Sequence, residues 1–483
     1  MGLGQVDYGL YGVVGGLTVF ISFLNGVLAY SIGRFYALAV GKMKRQDIKN
    51  TGIDECRKWF SIAVVIHTLF PCVLMIIGYP IGNWMIKSFL VIPLERMNAC
   101  IWVFRFVCVA CFFSMVTVPY QAMYTAKQRI AELSIYSVIT TTLNFIFMLY
   151  MVRHPGCWLT KYALWMCLMA VIPNIVIAIR ATFVFEECQF AWRYCCLRSS
   201  YMELFAYTGW QFWGSFGSLM RGQGIAILIN KYFGPSVNAA MTLGNQVNAH
   251  ASSLATAMQG AYMPAILTSF GSGNMEEAKA MALRACKFGT ILMLIFVVPL
   301  SVELKSVLHL WLENPPAYTD GLCLCMMLCF LLNNTTVGHM ILVHATGRIA
   351  TYQALLGGAL IATLPIAWVL IINGLGVYSI CYAMIAMSLV CAWGRVFFTR
   401  KYVSLPIRVW FVNVLLPVLL LIIVALTCAK LVQLLMPAGF LRIVVVTACS
   451  NSVLLLLCWY LVLDCGEREF VKMKLKERIF HDR

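Results

Sequence analysis

Apolar runs of roughly 19 residues or more recur along the whole chain, separated by short polar connections. That spacing predicts helices long enough to cross a hydrocarbon layer of about 30 Å. About thirteen such spans can be placed, at residues 10–33, 59–82, 99–121, 133–151, 162–185, 204–229, 238–264, 288–310, 321–343, 351–372, 377–398, 410–433 and 440–463. The connections differ in charge. Arg34, Lys42, Lys44, Arg45, Lys49, Arg57 and Lys58 crowd the first, whereas the second holds only Lys87 and Arg96. The contrast continues in alternate connections, with about 26 Lys and Arg on one side and about 8 on the other, so the richer side is assigned to the cytoplasm. This orientation predicts a cytoplasmic C-terminus and an external N-terminus.

Composition agrees with this pattern. Hydrophobic residues make up 61 % and charged residues 11 %, against about 25 % charged in a soluble domain. The net charge of +17 is mostly topological and implies no nucleic-acid partner. A basic tail with Lys472, Lys474, Lys476 and Arg478 would be drawn to an anionic leaflet. The first apolar run lacks the preceding basic region and the small-residue cleavage site of a removable signal peptide.

Two segments resemble each other: LGQVDYGLYGVVGG from Leu3 and FGPSVNAAMTLGN from Phe233. In each, Gly follows Leu or an aromatic residue at a tight turn, and small residues then open a span. Internal repeats in membrane proteins imply two similar halves around a central site. The turn at Gly234 in the second copy follows a full span and the turn at Gly4 in the first follows three residues, so the first half is expected to lack its opening helix. The expected organisation is all-α: a bundle at 1–190 with five spans, a bundle at 191–405 with six, two additional spans at 406–463, and the basic tail at 464–483.

Polar side chains inside spans mark a water-filled cavity, a helix contact or a ligand. Asn245, Asn248, Ser252, Thr256 and Gln259 follow steps of three and four, which places them on one face of a continuous helix. The stripe reads as a cavity wall or as hydrogen-bonded packing between helices. Gln211, Ser215, Ser218 and Arg221 form a similar face on the preceding span, with Gln223 pointing away. Arg105 and Arg221 lie deepest, while Arg34, Arg180 and Lys231 lie near span ends, where long cationic side chains can snorkel. Of 19 acidic residues, Glu303 alone falls within a span. A cationic, amide-rich interior predicts an anionic cargo such as a phosphate, which Arg binds through charge-assisted hydrogen bonds.

Other chemistry is missing. The 20 Cys are scattered through apolar stretches as small hydrophobes, without paired C-x-x-C spacing or His partners. No metal or cofactor is expected. There is no phosphate-binding G-x-x-x-x-G-K-[ST] loop, no Asp-x-Asp pair and no connection long enough for a catalytic domain, so transport rather than catalysis is expected.

Four segments carry a family resemblance: LGQVDYGLYG with the following SIGRF around Arg34, RGQGIAILINKYFGPSVNAAMTLGNQVNA from Arg221, MPAILTSFGSGN from Met263, and HLWLENPP from His309. Together they make the chain resemble the Wzx-type polysaccharide-unit flippases of the multidrug/oligosaccharidyl-lipid/polysaccharide (MOP) exporter superfamily, over nearly its whole length. The resemblance implies a bacterial inner-membrane protein with a 14-helix plan, here lacking the first helix. It also implies an undecaprenyl-diphosphate-linked glycan as cargo, with the bilayer, a polysaccharide polymerase and a chain-length regulator as partners. Arg34 matches the basic residue of the family's second helix, and Arg221 and Gln223 fall in its seventh-helix motif. The substrate-contacting set expected is Arg34, Arg105, Gln211, Arg221, Asn245, Asn248, Ser252 and Gln259. A multidrug antiporter or a cell-wall precursor flippase of the same superfamily is the alternative; a drug exporter for cations would favour carboxylates inside.

Overall fold

A computed structural model describes residues 5–16, 18–45, 49–90, 92–154, 156, 158–464, 466–469 and 472–473. The expected turn at Leu3-Gly4 and the tail residues Lys474, Lys476 and Arg478 lie outside the described residues. Every regular element among the described residues is a helix. The chain forms two compact units, residues 1–212 with 267–275, and residues 213–266 with 276–483. The division falls inside a helix rather than near residue 190, and the two C-terminal spans join the second unit rather than standing apart.

The first unit contains α1 (Gln5–Gly16), α2 (Val19–Met43), α3 (Lys49–Trp84), α4 (Leu94–Val116), α5 (Val118–Ala126), α6 (Ile130–Arg153), α7 (Leu159–Val184) and the first part of α8 (Arg198–Phe233). The expected span 10–33 is displaced. A break at Thr18, whose hydroxyl donates to the Gly15 carbonyl at 2.9 Å, separates α1 from α2. The apolar run Phe35–Val40 then carries α2 on to Met43, so Arg34 lies inside the helix and is 6 % exposed, not at the span end that its charge predicted. Close packing fixes the far end of α2. A Cβ on Gly41 would stand 2.2 Å from the Thr268 carbonyl oxygen, and one on Gly271 2.3 Å from that of Leu38, so glycine is required where these backbones meet. The connection after α7 is tied down by Lys127 Nζ to Glu187 at 2.7 Å and by the Ala191 N–H to Ser61 Oγ at 3.0 Å. Burial pushes the Cys188 thiol there up to about 12, which leaves it an unreactive thiol.

The second unit contains the rest of α8, then α9 (Pro235–Ala251), α10 (Ser253–Gly271) as far as Ile266, α11 (Met275–Leu312), α12 (Thr319–Asn334) and α13 (Val337–Thr346). It continues with α14 (Ala350–Ile372), α15 (Ser379–Val403), α16 (Ile407–Trp410), α17 (Leu416–Leu435) and α18 (Phe440–Leu457). Gly234, at φ +84°, makes the turn between α8 and α9, and Pro235 opens α9. Gly allows the left-handed conformation and Pro suits a first helical turn. Gly214, Gly217 and Gly224 of α8 face α14 so closely that added Cβ atoms would lie 2.0–2.6 Å from Gln353, Gly357 and Leu364. Such small-residue seams let membrane helices approach through van der Waals contact.

Ten helices among the described residues are long and apolar enough to cross a membrane, and the pair α12–α13, bent by 47°, brings the number to eleven. The two remaining expected spans correspond to α8 and to α9 with α10. They are long helices whose polar stripes lower their hydropathy, and those stripes lead to the candidate site. The bend also has a local cause. At 335–336 the helical ladder breaks beside Asn333, Asn334, Thr335 and Thr336, and side chains from elsewhere take over the freed carbonyls. Trp410 Nε1 donates to the Thr335 carbonyl at 2.8 Å, and Arg395 Nη1 to that of Asn333 at 3.3 Å.

The C-terminal pair α17–α18 packs on α11 and α12 through Met293, Leu294, Met327, Leu421, Ala425, Val446 and Leu454. Ionic contacts tie α11 to α18 and to the segment that follows it. Toward one end, Arg442 Nη2 donates to Glu303 Oε2 at 2.9 Å and to Ser306 Oγ at 3.1 Å, while Nε lies 2.9 Å from Glu303 Oε1. Toward the other, Lys287 Nζ donates to Glu467 Oε2 at 2.8 Å and to the Val462 carbonyl at 3.1 Å, and Arg284 Nε to Glu467 Oε1 at 3.1 Å. Burial opposes ionisation of Glu467. The hydrogen bonds from Lys287 and the Asp464 N–H, with the field of Lys287 and Arg284, outweigh it and hold its carboxyl below the usual range.

Candidate functional site

Within the second unit, four helices each turn one face toward a cavity of about 390 Å³. On α8 the face is Ser218, Arg221, Gly222 and Ile225; on α9 it is Asn238, Met241, Thr242, Asn245 and Asn248. On α12 it is Met326, Cys329, Phe330 and Asn333, and on α15 it is Met384, Ser388, Cys391 and Arg395, with Leu360 added from α14. The polar members, Ser218 and Arg221, Asn238, Thr242, Asn245 and Asn248, and Ser388 and Arg395, recur at steps of three, four or seven residues, so the helical repeat brings them to one space. Among the described residues no carboxylate lines it.

Charge and hydrogen-bonding capacity converge there. Arg221 has neither a hydrogen bond nor an ion pair among the described residues, and its guanidinium keeps its donors for a guest. Arg395 Nη1 reaches Asn333 Oδ1 at 2.5 Å and Thr336 Oγ1 at 3.3 Å, while its Nε is buried without a partner. Asn248 Oδ1 is likewise buried and unpartnered. Burying such groups unmade costs about 1–3 kcal/mol each, a cost relieved when a ligand bonds to them. The arrangement can therefore hold a guest that carries both anionic oxygens and hydroxyl donors.

The expected set is only partly brought together. Arg221, Asn245 and Asn248 share the cavity. Ser252 and Gln259 do not line it, because the helix is interrupted at Ser252 between α9 and α10 and the single stripe divides. Ser252 Oγ turns back to the Ala249 carbonyl at 3.3 Å, and Gln259 Nε2 donates to Asn334 Oδ1 as a link between α10 and α12. Arg34, Arg105 and Gln211 belong to the first unit. Arg34 is buried with its guanidinium 4.6 Å from the Tyr207 ring and 5.0 Å from that of Phe35. Arg105 is exposed, donating to Tyr79 Oη at 3.2 Å and covering Trp102 at 4.7 Å. Gln223 is exposed and does not line the cavity. Glu303, the one acidic residue expected inside a span, is 1 % exposed and engaged by Arg442.

Arg395 is the site residue that charge counting misses. It stands near Arg400 and Lys401 and reads as part of a basic span end. The step Ser388, Cys391, Arg395 gives the signal, since it sets the Arg on the polar face of its span.

No protein-family model and no curated protein sequence matches the chain. Its fold does match solved structures. An outward-facing multidrug resistance MATE family transporter of the MOP superfamily superposes with a TM-score of 0.69 at 13 % identity, over 83 % of this chain and 89 % of the other. A MATE transporter in complex with MaL6 gives 0.66 at 14 %, over 82 % and 91 %. A MOP superfamily transporter from Pyrococcus furiosus gives 0.64 at 14 %, over 84 % and 94 %. The chain thus has the polytopic helical fold of MATE transporters in the MOP superfamily.

Proposed function

We propose that the protein is a flippase that moves undecaprenyl-diphosphate-linked oligosaccharide units from the cytoplasmic to the external leaflet of a bacterial inner membrane by alternating access. The observation that carries this reading is the cavity with Arg221 and Arg395 and no lining carboxylate. A diphosphate crossing hydrocarbon unshielded would cost tens of kcal/mol, on the order of a Born penalty. Two guanidiniums in a low-dielectric recess offset that penalty and suit phosphate oxygens through planar donor pairs. Asn238, Asn245 and Asn248 supply the amide groups that sugar hydroxyls require, and Asn248 Oδ1 awaits a donor.

A cationic drug would meet like charge in this cavity. Among the structural neighbours, the Pyrococcus furiosus transporter is described as having a binding pocket of reverse polarity that suggests a different function, so cavity polarity is a sound basis for separating cargo classes within one fold. The charge asymmetry of the connections supports a cytoplasmic C-terminus.

The test is complementation of a bacterium lacking its repeat-unit flippase, scored as surface polysaccharide, with expression verified by immunoblot. Restoration by the wild type and its loss with Arg221→Ala would support the reading. Equal restoration by wild type and Arg221→Ala would overturn it.

A further inference from the structure

Arg395 enters the cavity from α15 with its donors directed at one place, the break between α12 and α13. Its Nη1 donates to Asn333 Oδ1 at 2.5 Å, and lies 3.3 Å from both the Asn333 carbonyl oxygen and Thr336 Oγ1. A guanidinium Nη carries two hydrogens, so three acceptors share two donors. The Nε–H of the same side chain is buried and unpartnered. Tyr352 of α14 also interacts with this guanidinium.

The break is held from four helices. Besides Arg395, Trp410 Nε1 of α16 donates to the Thr335 carbonyl at 2.8 Å. Asn334, fully buried, accepts from Gln259 Nε2 of α10 and donates to Met293 Sδ of α11 at 3.5 Å. Of these residues Arg395 and Asn333 line the cavity, while Gln259, Met293, Asn334 and Trp410 do not. A guest in the cavity therefore reaches the break through the contact between Arg395 and Asn333. An amide oxygen carries a partial charge, whereas the oxygens of a phosphate share a full one. At the same distance the phosphate is the stronger partner for a guanidinium.

We propose that Asn333 is a built-in competitor for the anion this cavity takes. Its amide oxygen holds Arg395 Nη1 until a phosphate oxygen displaces it. As Arg395 turns to the guest it releases Asn333 and Thr336, so the 47° bend between α12 and α13 responds to cargo. The proposal rests on the anionic-cargo reading and adds what the cargo must displace and which bend registers it. A ligand shifts a conformational equilibrium only through contacts that differ between the states, and the bonds of Nη1 across the break are that difference. The ties from Trp410, Gln259 and Met293 keep the break in place as a hinge while Arg395 changes partners.

The test uses the full chain, purified in detergent, with inorganic diphosphate as the probe. Calorimetry measures its affinity for the wild type, Asn333→Leu and Asn333→Ala, and hydrogen–deuterium exchange follows residues 335–346. Both substitutions remove the competing amide oxygen and offer an anion no contact of their own. Diphosphate should therefore bind each about tenfold more tightly than the wild type, the effect of one hydrogen bond to a charged group. Two variants are compared so that either decides if the other misfolds. In the wild type diphosphate should also raise exchange at the break, and Arg395→Gln should show no such rise. Equal or weaker binding by the folded variants, beside measurable binding by the wild type, would overturn the proposal and make Asn333 a ligand or a support of the site. Unchanged exchange in the wild type at saturating diphosphate would overturn the coupling to the bend. Absence of diphosphate binding in all three proteins would sink the anionic-cargo reading and the proposal with it, an outcome distinct from binding that ignores Asn333.

Discussion

Removing the carboxylate of Glu303 separates two roles that a buried acid in a transporter can play. Glu303 is 1 % exposed and the side chain of Arg442 is 13 % exposed, so replacement by Gln leaves a guanidinium shielded from water without its counter-charge, held by Ser306 and the amide oxygen alone. Breaking one partner of such a buried pair costs about 3–5 kcal/mol, whereas replacing both with apolar groups is often neutral or stabilising. Glu303→Gln should therefore lower stability by about 3 kcal/mol, at the lower end because the amide oxygen still accepts one hydrogen bond. The double variant Glu303→Leu/Arg442→Leu should recover most of that loss. Unfolding of purified protein in detergent, followed by tryptophan fluorescence against denaturant, gives the stabilities, and surface polysaccharide gives the activity. If Glu303 is a clamp, the double variant transports. Full stability in Glu303→Gln, combined with lost transport in both variants, would refute this and make Glu303 an ion-coupling carboxylate.

Four further outcomes follow from the geometry. Arg221→Lys should retain more surface polysaccharide than Arg221→Ala, because Lys keeps the charge but not the planar fork; a reversed order would count against phosphate contact. Arg395→Lys should lose more than Arg221→Lys, since a Lys side chain ends one bond short of Arg395 Nη1, the atom that meets the Asn333 carbonyl, Asn333 Oδ1 and Thr336 Oγ1; the same assay ranks the two. Glu467 has a lowered carboxyl pKa, so its clamp is fully present above the unfolded carboxylate value and is lost as pH falls through the lower folded value. Trypsin cleavage after Arg468 should accelerate in that acid range for the wild type and be fast at all pH values for Glu467→Gln, measured with a pH-matched control substrate. Gly41→Ala should destabilise by about 1–3 kcal/mol through backbone overlap, while Gly358→Ala, whose added Cβ meets nothing within 4 Å, should be close to neutral in the same denaturation assay.

The existence of the spans was plain from the sequence because hydropathy is a local property summed over one helix. α8 and α9–α10 stand as helices where two more spans were expected, but are not among the eleven that are long and apolar enough to cross a membrane among the described residues. Ends were less plain: Arg34 looked like a terminus although Phe35–Val40 prolongs the helix, because one charge weighs heavily in a short window. Side-chain direction depends on neighbours far along the chain. The depth of Arg105 was readable but its place beside Tyr79 and Trp102 was not, and nothing near Glu303 announces Arg442. The break at Thr335-Thr336 lacks a Gly or Pro marker, since its stability comes from Trp410 and Arg395. Without that break and the one at Ser252, a straight-helix projection put Gln259 in the cavity wall.

The ionic contacts that α11 makes with Arg442 of α18 and with Glu467 beyond the end of α18 lie sixteen residues apart on α11, about 24 Å at 1.5 Å per residue. A helix fastened at a single point can swivel; one fastened at two such distant points transmits tilt. Leu434, Leu435, Phe440, Leu441 and Tyr460 of the α17–α18 hairpin are exposed, so hydrocarbon is their solvent. A bilayer thinner or thicker than this hairpin changes its preferred tilt, at a fraction of a kcal/mol per Å of mismatch. Through the paired clamps that load is delivered to α11, which makes membrane thickness a mechanical input to the second unit.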